Sequence, residues 1–304
     1  MSTHVVGLDL GGTSVKAVSL TRQGVELARG HHPFDLEQPG AFVEAMKTAL
    51  SALEDQVGTP AAAVGISAPG LAARDGTCVA FMPGRFPGLA GLNWAHALHR
   101  DRVPVLNDAQ AALLGEVWCG AAQGASQVVM LTLGTGVGGA ALVDGRLLQG
   151  RSGKAGHLGH VSLDPAGRRG ITGVPGSLED AIGNHNIRQR TAGRFDTTLA
   201  LIHAHQQGDA EASRVWLESV RALAAALTSF TNILDPERIV IGGGIASCGD
   251  TLFLPLRRWV AEWEWQVGAP PVAIVPAELG DRAGAVGAAW HALRESAETE
   301  SSGG

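Results

Sequence analysis

The sequence predicts an α/β protein made of two related halves, each with a mixed sheet covered by helices. Three observations carry this. Strands and helices alternate along the 304 residues, and 45% of these are apolar, enough for a substantial core. An apolar strand, a glycine turn and a second strand occur at Leu8-Asp9-Leu10-Gly11-Gly12-Thr13. A loose echo follows at Leu133-Gly134-Thr135-Gly136-Val137.

In the first half, residues 4–10, 15–20 and 24–30 read as a three-stranded meander. Residues 41–56 place Phe42, Met46, Leu50 and Leu53 at helical spacing. A short buried strand at 62–67 ends at Ala68-Pro69-Gly70. A short helix at 93–100, a strand at 103–106 and a helix at 109–119 follow, with Asn107-Asp108 at the junction. The second half restarts with strands at 127–133 and 137–143. A Gly-, His- and Arg-rich insertion covers 150–176, and helices follow at 178–191, 197–207 and 210–234. A strand at 238–241 ends in Gly242-Gly243-Gly244. The chain closes with a helix at 251–265, a strand at 271–275 and a helix at 283–294.

Composition excludes several function classes. The net charge of −6 disfavours a nucleic-acid surface. Cys78, Cys119 and Cys248 lie too far apart for a disulfide framework or a metal spacing, as expected of a reducing cytoplasm. The chain enters its first strand at once, so no signal peptide is expected, and no apolar run in it is long enough for a membrane span.

The first turn exposes backbone N–H groups to an anion. Thr13 adds a hydroxyl, and Asp9 adds a carboxylate where a magnesium-bound phosphate would need one. No helix opens at these glycines and no Gly-Lys-Ser/Thr follows, so the turn is neither a Walker loop nor a dinucleotide fingerprint. Taken alone, a plain β-hairpin is an equal reading. The second copy points to a nucleotide clamped between two domains.

The order and spacing of several further pieces resemble the ROK family of sugar kinases and repressors. They are Gly65-Ile66-Ser67-Ala68-Pro69-Gly70, Asn107-Asp108-Ala109, Ala155-Gly156-His157-Leu158-Gly159-His160, Leu178-Glu179, Ile239-Val240-Ile241-Gly242-Gly243-Gly244 and Ala283-Gly284-Ala285-Val286-Gly287-Ala288-Ala289. The resemblance spans nearly the whole chain. It implies the two-domain actin-like ATPase (ribonuclease H-like) fold, with a cleft between domains. Residues 1–118 would form a sugar and phosphate domain, rejoined by the last helix at 283–296. Residues 119–282 would form a nucleotide domain with a helical insertion at 176–234, and 297–304 a disordered tail. A homodimer follows from the resemblance only.

The same resemblance assigns roles. Gly11, Gly12 and Thr13, with Gly134, Thr135 and Gly136, would hold the terminal phosphates of ATP. Asp9 would orient Mg²⁺ through water, and Gly242, Gly243 and Gly244 would admit adenosine. Asp108 would be the general base that takes the proton of the attacking sugar hydroxyl. The competing reading is that Asp108 only caps the helix after it. Asn107, His157, His160, Glu179 and Gly70 would face the sugar. Glu179 has a simpler reading as a charge favoured by a helix N-terminus, and His160 as an ordinary loop histidine. Arg85 falls near a family asparagine on a sugar-facing loop. Lys16 is expected to face solvent, and Trp259, Trp263 and Trp265 to pack on one helix.

Two departures stand out. Many members carry a zinc loop, Cys-x-Cys-Gly-x-x-Gly-Cys-x-Glu. Here Gly170, Thr172 and Ser177 occupy the cysteine positions, so no zinc is expected. His157 stands where glutamate is usual, which changes recognition at one or two hydroxyls and could admit an acetamido group. The expected function is therefore an ATP-dependent, glucokinase-like hexose kinase. The alternatives are a silent sugar-binding or regulatory protein and, with no helix-turn-helix ahead of the first strand, less readily a sugar-responsive repressor. Polyphosphate remains a possible donor.

Overall fold

The computed structural model describes residues 4–82, 84, 86–268 and 270–302, so Arg85 lies outside the described residues. Two compact units emerge. One comprises Met1–Gly124, Gln149–Ala155 and Glu278–Gly304; the other comprises Ala125–Leu148 and Gly156–Ala277.

In the first unit, strands β1 (His4–Leu10), β2 (Ser14–Thr21) and β3 (Glu26–Pro33) form the meander, followed by helix α1 (Ala41–Val57) and β4 (Ala63–Ala68). A small hairpin, β5 (Leu71–Ala72) and β6 (Val79–Phe81), precedes α2 (Trp94–Ala97), β7 (Val105–Asn107) and α3 (Asp108–Cys119). The sheet order is β3-β2-β1-β4-β7. The meander pairs antiparallel, whereas β1, β4 and β7 run parallel and so end on the same side. Val6, Leu8 and Leu10 of β1 and Phe42, Met46, Leu50 and Leu53 of α1 are buried in one core. The last three α1 positions continue the helical spacing begun at Phe42.

The second unit repeats the plan. It contains β8 (Val128–Leu133), β9 (Val137–Val143), β10 (Arg146–Leu147), α4 (Leu178–Ile182), α5 (Ile187–Arg190), α6 (Thr198–Gln206), α7 (Ala210–Leu234), β11 (Arg238–Gly242), α8 (Asp250–Trp263) and β12 (Ala273–Pro276). Its sheet order, β10-β9-β8-β11-β12, has the same directions as the first sheet. Helix α7 buries Trp216, Val220, Leu223 and Leu227 against Val129 and Leu131 of β8.

The final helix, α9 (Ala283–Ser302), belongs to the first unit and packs on β1, β4 and α3. The approach is backbone to backbone. A Cβ added at Gly7 would lie 1.8 Å from the Ala285 carbonyl oxygen, and one at Gly287 would lie 1.7 Å from that of Ala111. Buried Glu116 of α3 fixes the entry to this segment. Its carboxylate accepts the N–H of Leu279 at 2.8 Å and of Ala121 at 2.7 Å.

Three expectations are corrected. The helix expected over 178–191 is interrupted at Gly183, whose ψ of 153° leaves helical space, and a 3₁₀ turn, Asn184–Asn186, separates α4 from α5. The tail expected from residue 297 continues α9 to Ser302, because Glu and Ala support helix and no breaker intervenes before Gly303. Trp259 and Trp263 stack with centroids 6.2 Å apart, but Trp265 lies beyond the end of α8 and is exposed.

Candidate active site

The first unit gathers its polar residues where three adjacent parallel strands end. Register places Asp9 opposite Ser67, and Ala68 opposite Asn107. The carboxyl ends of β1, β4 and β7 thus deliver Asp9, Ser67 and the Asn107-Asp108 junction together, as ligand sites in open α/β sheets generally do.

Asp9 is half-buried, and its Oδ1 accepts the Ser67 hydroxyl at 2.5 Å. Burial raises its pKa to about 6, with help from the negative charge of Asp108. The Ser67 bond and Lys16 pull the other way. Lys16 sits directly opposite Asp9 across the hairpin. Rather than simply facing solvent, its ammonium pairs with Asp281 at 3.2 Å, and the side chain is 35% exposed. The start of α9 closes on the same carboxylate: a Cβ at Gly284 would lie 2.7 Å from Asp9 Oδ1.

The turn after Asp9 closes through Gly11 N–H to the Ser14 carbonyl at 2.9 Å. Neither Gly11 nor Gly12 adopts a left-handed conformation. Their use here is therefore the missing side chain: a Cβ at Gly11 would lie 3.0 Å from the Ser14 carbonyl oxygen that its own N–H bonds.

Asn107 and Asp108 divide the work at the start of α3. The cap is Asn107: its buried Oδ1 accepts the Ala109 N–H at 3.0 Å, and its Nδ2 donates to the Gly70 carbonyl at 2.8 Å. Gly70 has φ of 97°, and a Cβ there would lie 2.7 Å from the Phe81 carbonyl oxygen. The helix begins one residue earlier than expected, so Asp108 is its first residue. Its Oδ1 takes the Ala109 N–H at 2.8 Å. Asp108 is solvent-accessible yet ringed by protein atoms. That surrounding lifts its carboxyl above the usual carboxylate range, while the Ala109 and Asn107 bonds act in the opposite sense. An accessible, partly desolvated carboxylate is suited to accept a proton.

The second unit offers a different surface. Gly134 N–H bonds the Gly136 carbonyl at 2.9 Å, closing the turn between β8 and β9. Glu179, at the start of α4, presses on this turn. Its Oε2 accepts the Val137 N–H at 2.9 Å, and a Cβ at Gly136 would lie 2.2 Å from the same oxygen. One Glu179 oxygen is thereby engaged in holding the turn. The interruption after α4 lets Asn184 N–H bond the Gly134 carbonyl at 3.0 Å, and His185 N–H that of Thr135 at 2.8 Å.

His157 and His160 stack with ring centroids 6.4 Å apart and planes 8° apart. Burial, with His160 beside it, lowers the His157 pKa, so this ring is neutral at pH 7 and offers one donor and one acceptor. At the end of β11, Gly243 (φ 87°) braces the approach to the turn, since a Cβ there would lie 2.4 Å from the Leu133 carbonyl oxygen. Gly242 packs near Ala277, whereas Gly244 faces open space. Among the described residues, no group of three or more His, Cys, Asp or Glu side chains could hold a metal ion. No described helix is long and apolar enough to cross a membrane.

The ROK family model matches residues 5–295. The chain belongs to the ROK family. This ROK protein is 33% identical over 305 residues to a glucokinase of Thermotoga maritima, covering 94% of this chain and 96% of the relative. It is 31% identical over 296 residues to an N-acetylmannosamine kinase of Escherichia coli, covering 95% and 98%. A ROK glucokinase from Streptomyces griseus, solved with glucose and AMPPNP, superposes with a TM-score of 0.77 at 28% identity, covering 96% of this chain and 99% of that one. The fold is the actin-like ATPase fold of these kinases.

Ser67, Lys16, Gly284 and His185 belong to the sites but were given no site role from sequence. Ser67 and Lys16 lie opposite Asp9 in register, a signal available once the strands are paired. Gly284 stands in the motif 283–289 but takes its role from tertiary packing, and His185 had no sequence signal of its own.

Proposed function

We propose that this protein is an ATP-dependent sugar kinase acting on a hexose hydroxyl, with Asp108 as the general base. The observation that carries this is the placement of Asp9 and Asp108 at the same end of one parallel group of strands, Asp9 on β1 and Asp108 just after β7 with β4 between them, one half-buried and one accessible. In this reading Asp108 accepts the hydroxyl proton while the hydroxyl oxygen attacks the γ-phosphorus and the bond to ADP breaks. Its raised pKa makes it a better base than an ordinary aspartate. The AMPPNP bound to the Streptomyces relative supports ATP as donor.

Gly11, Gly12 and Thr13 are assigned to the terminal phosphates within the first unit, as are Gly134, Thr135 and Gly136 within the second. Gly242, Gly243 and Gly244 are assigned to the nucleotide, with Gly244 the position open to it. Mg²⁺, when bound, supplies charge neutralisation of the phosphates, and Asp9 would hold it through water. The residues present fit this ion. Mg²⁺ takes hard oxygen ligands, commonly one or two carboxylates completed by phosphates and water, and the Asp9 and Asp108 charges disfavour each other without a cation. The zinc-loop segment is proposed to hold no zinc; about one zinc per chain in purified, untagged protein would overturn that.

Asn107, His157, His160, Glu179 and Gly70 are proposed for the sugar side, Gly70 through its hold on Asn107. Glucose is the first acceptor to test, in line with the glucokinase relatives. His157 favours a second acceptor, an N-acylated hexosamine, because a neutral imidazole can donate to an acyl carbonyl, and an N-acetylmannosamine kinase is among the relatives. An ADP-release assay over hexoses and amino sugars decides between them; polyphosphate in place of ATP tests the donor. Measurable sugar affinity with no turnover on any donor would instead make the protein a silent binder. Cytoplasmic location and a homodimer complete the proposal, the latter tested by sedimentation.

A further inference from the structure

The segment holding Gly170, Thr172 and Ser177, the three positions where the resemblance would place zinc-loop cysteines, is closed around a carboxylate. Two of its three substituted positions converge on one carboxylate. Ser177 Oγ donates to Asp180 Oδ2 at 2.9 Å and accepts the Asp180 N–H at 3.1 Å as the cap of α4. Gly170 leaves room for the same oxygen, since a Cβ there would lie 2.4 Å from Asp180 Oδ2. The other Asp180 oxygen meets His185 Nε2 at 3.0 Å, and His185 Nδ1 meets the Thr135 carbonyl at 3.1 Å.

Both partners of this ring are acceptors. A neutral imidazole has only one N–H, so it can donate to Thr135 or to Asp180 but not to both; the imidazolium donates to both. Charged groups of both signs surround the ring. On α4 stand Asp180 and Glu179, the latter turned to the Val137 N–H. Arg168, in the preceding loop, acts on Asp180. From α5, Arg190 is spent on Asn186 Oδ1 and on the Ile182 and Gly183 carbonyls. The turn itself contributes only backbone there. Burial alone would raise the Asp180 pKa, but its bonds from His185 and Ser177 more than offset this and leave it lowered.

We infer that Asp180 and His185 form a metal-free cross-link that fixes the Thr135 carbonyl and so positions the second phosphate turn. His185 is thus a positioning residue for nucleotide. The inference rests on the assignment of the turn Gly134–Gly136 to phosphate.

The test has two independent readouts. The ¹⁵N shifts of the His185 ring nitrogens should change in Asp180→Asn relative to the parent, reporting the bond to that carboxylate. Asp180→Asn and His185→Ala should each weaken AMPPNP binding, measured by calorimetry, about fivefold or more, with sugar affinity within twofold of the parent, and the double variant should be no weaker than either single one. Ring shifts unchanged in Asp180→Asn overturn the inference. So does unchanged AMPPNP affinity in both variants, even with a lowered melting temperature, since that describes a purely structural pair. If no sugar is phosphorylated, the kinase reading fails, and the ring shifts and AMPPNP affinities still decide this cross-link.

Discussion

The two halves share a strand order and differ in what stands two residues before the first turn glycine. In the first it is Asp9, whose register neighbours are Lys16 and Ser67; in the second it is Thr132, whose neighbours are Gly138 and Gly242. One half surrounds that position with groups that carry charge and donate hydrogen bonds. The other removes side chains from both flanks and leaves backbone. The second turn takes its acidic contact from elsewhere, from Glu179 on a helix. In the proposed function, a duplicated architecture would thus serve one half for chemistry and the other for a surface against a ligand.

The sharpest way to break this comparison is at the base. Asp108→Asn should lower turnover about 10²- to 10⁴-fold while nucleotide affinity changes little, because it removes the proton acceptor and keeps the shape. Coupled ADP release and calorimetry measure the two effects separately. Retention of most activity would return Asp108 to an ordinary first residue of α3. Asn107, already the cap, shows that the helix does not need Asp108 for that purpose.

Asp9→Asn separates function from stability. A carboxyl whose pKa is raised from 3.8 to about 6 on folding contributes stability that is full below about pH 4 and is lost as pH rises through 6. Replacing it with a neutral isostere should therefore stabilise the ligand-free protein above pH 6, by about 1–2 kcal/mol once partial solvent access is allowed for, and do nothing below about pH 4. Activity should fall in the same variant. Denaturant unfolding at pH 4 and pH 7.5 checks it; equal stability changes at both would contradict the burial argument.

In the second half the matching change is Glu179→Ala. It strands the Val137 N–H, so it should cost about 1–2 kcal/mol. Glu179→Gln keeps an acceptor for that bond and should cost less. If the two variants melt alike, Glu179 does not hold the turn, and its sequence assignment to the sugar regains weight.

How much of this was legible follows from range of interaction. The meander, the paired turns and the placement of Asp9 and Asp108 were readable because each is a local pattern of apolar alternation, glycines and strand ends. The break at Gly183 was not. The run from Leu178 to Thr191 looks helical from within, and only the docking of Asn184 and His185 onto Gly134 and Thr135 makes the interruption favourable. Trp265 was misplaced by two residues: α8 ends at Trp263, and Glu264 after it is already extended. Gly284 looked like one more small residue in a small-residue helix, and its meaning lies in Asp9, 275 positions away in sequence and next to it in space.

The smallest expected effect tests recognition at His157. A neutral imidazole gives one N–H and one lone pair, whereas glutamate at the same place only accepts. His157→Glu should therefore strengthen a contact to a hydroxyl that donates and remove the donor available to an acyl carbonyl. The ratio of kcat/KM for glucose over an N-acylated hexosamine should rise about fivefold, worth ~1 kcal/mol of transition-state binding. Glutamine at the same place, His157→Gln, gives the variant an internal check: it keeps both a donor and an acceptor and should leave the ratio within about twofold of the parent. A ratio unchanged by His157→Glu would mean that position 157 does not face the sugar, and that its histidine is only a packed loop residue.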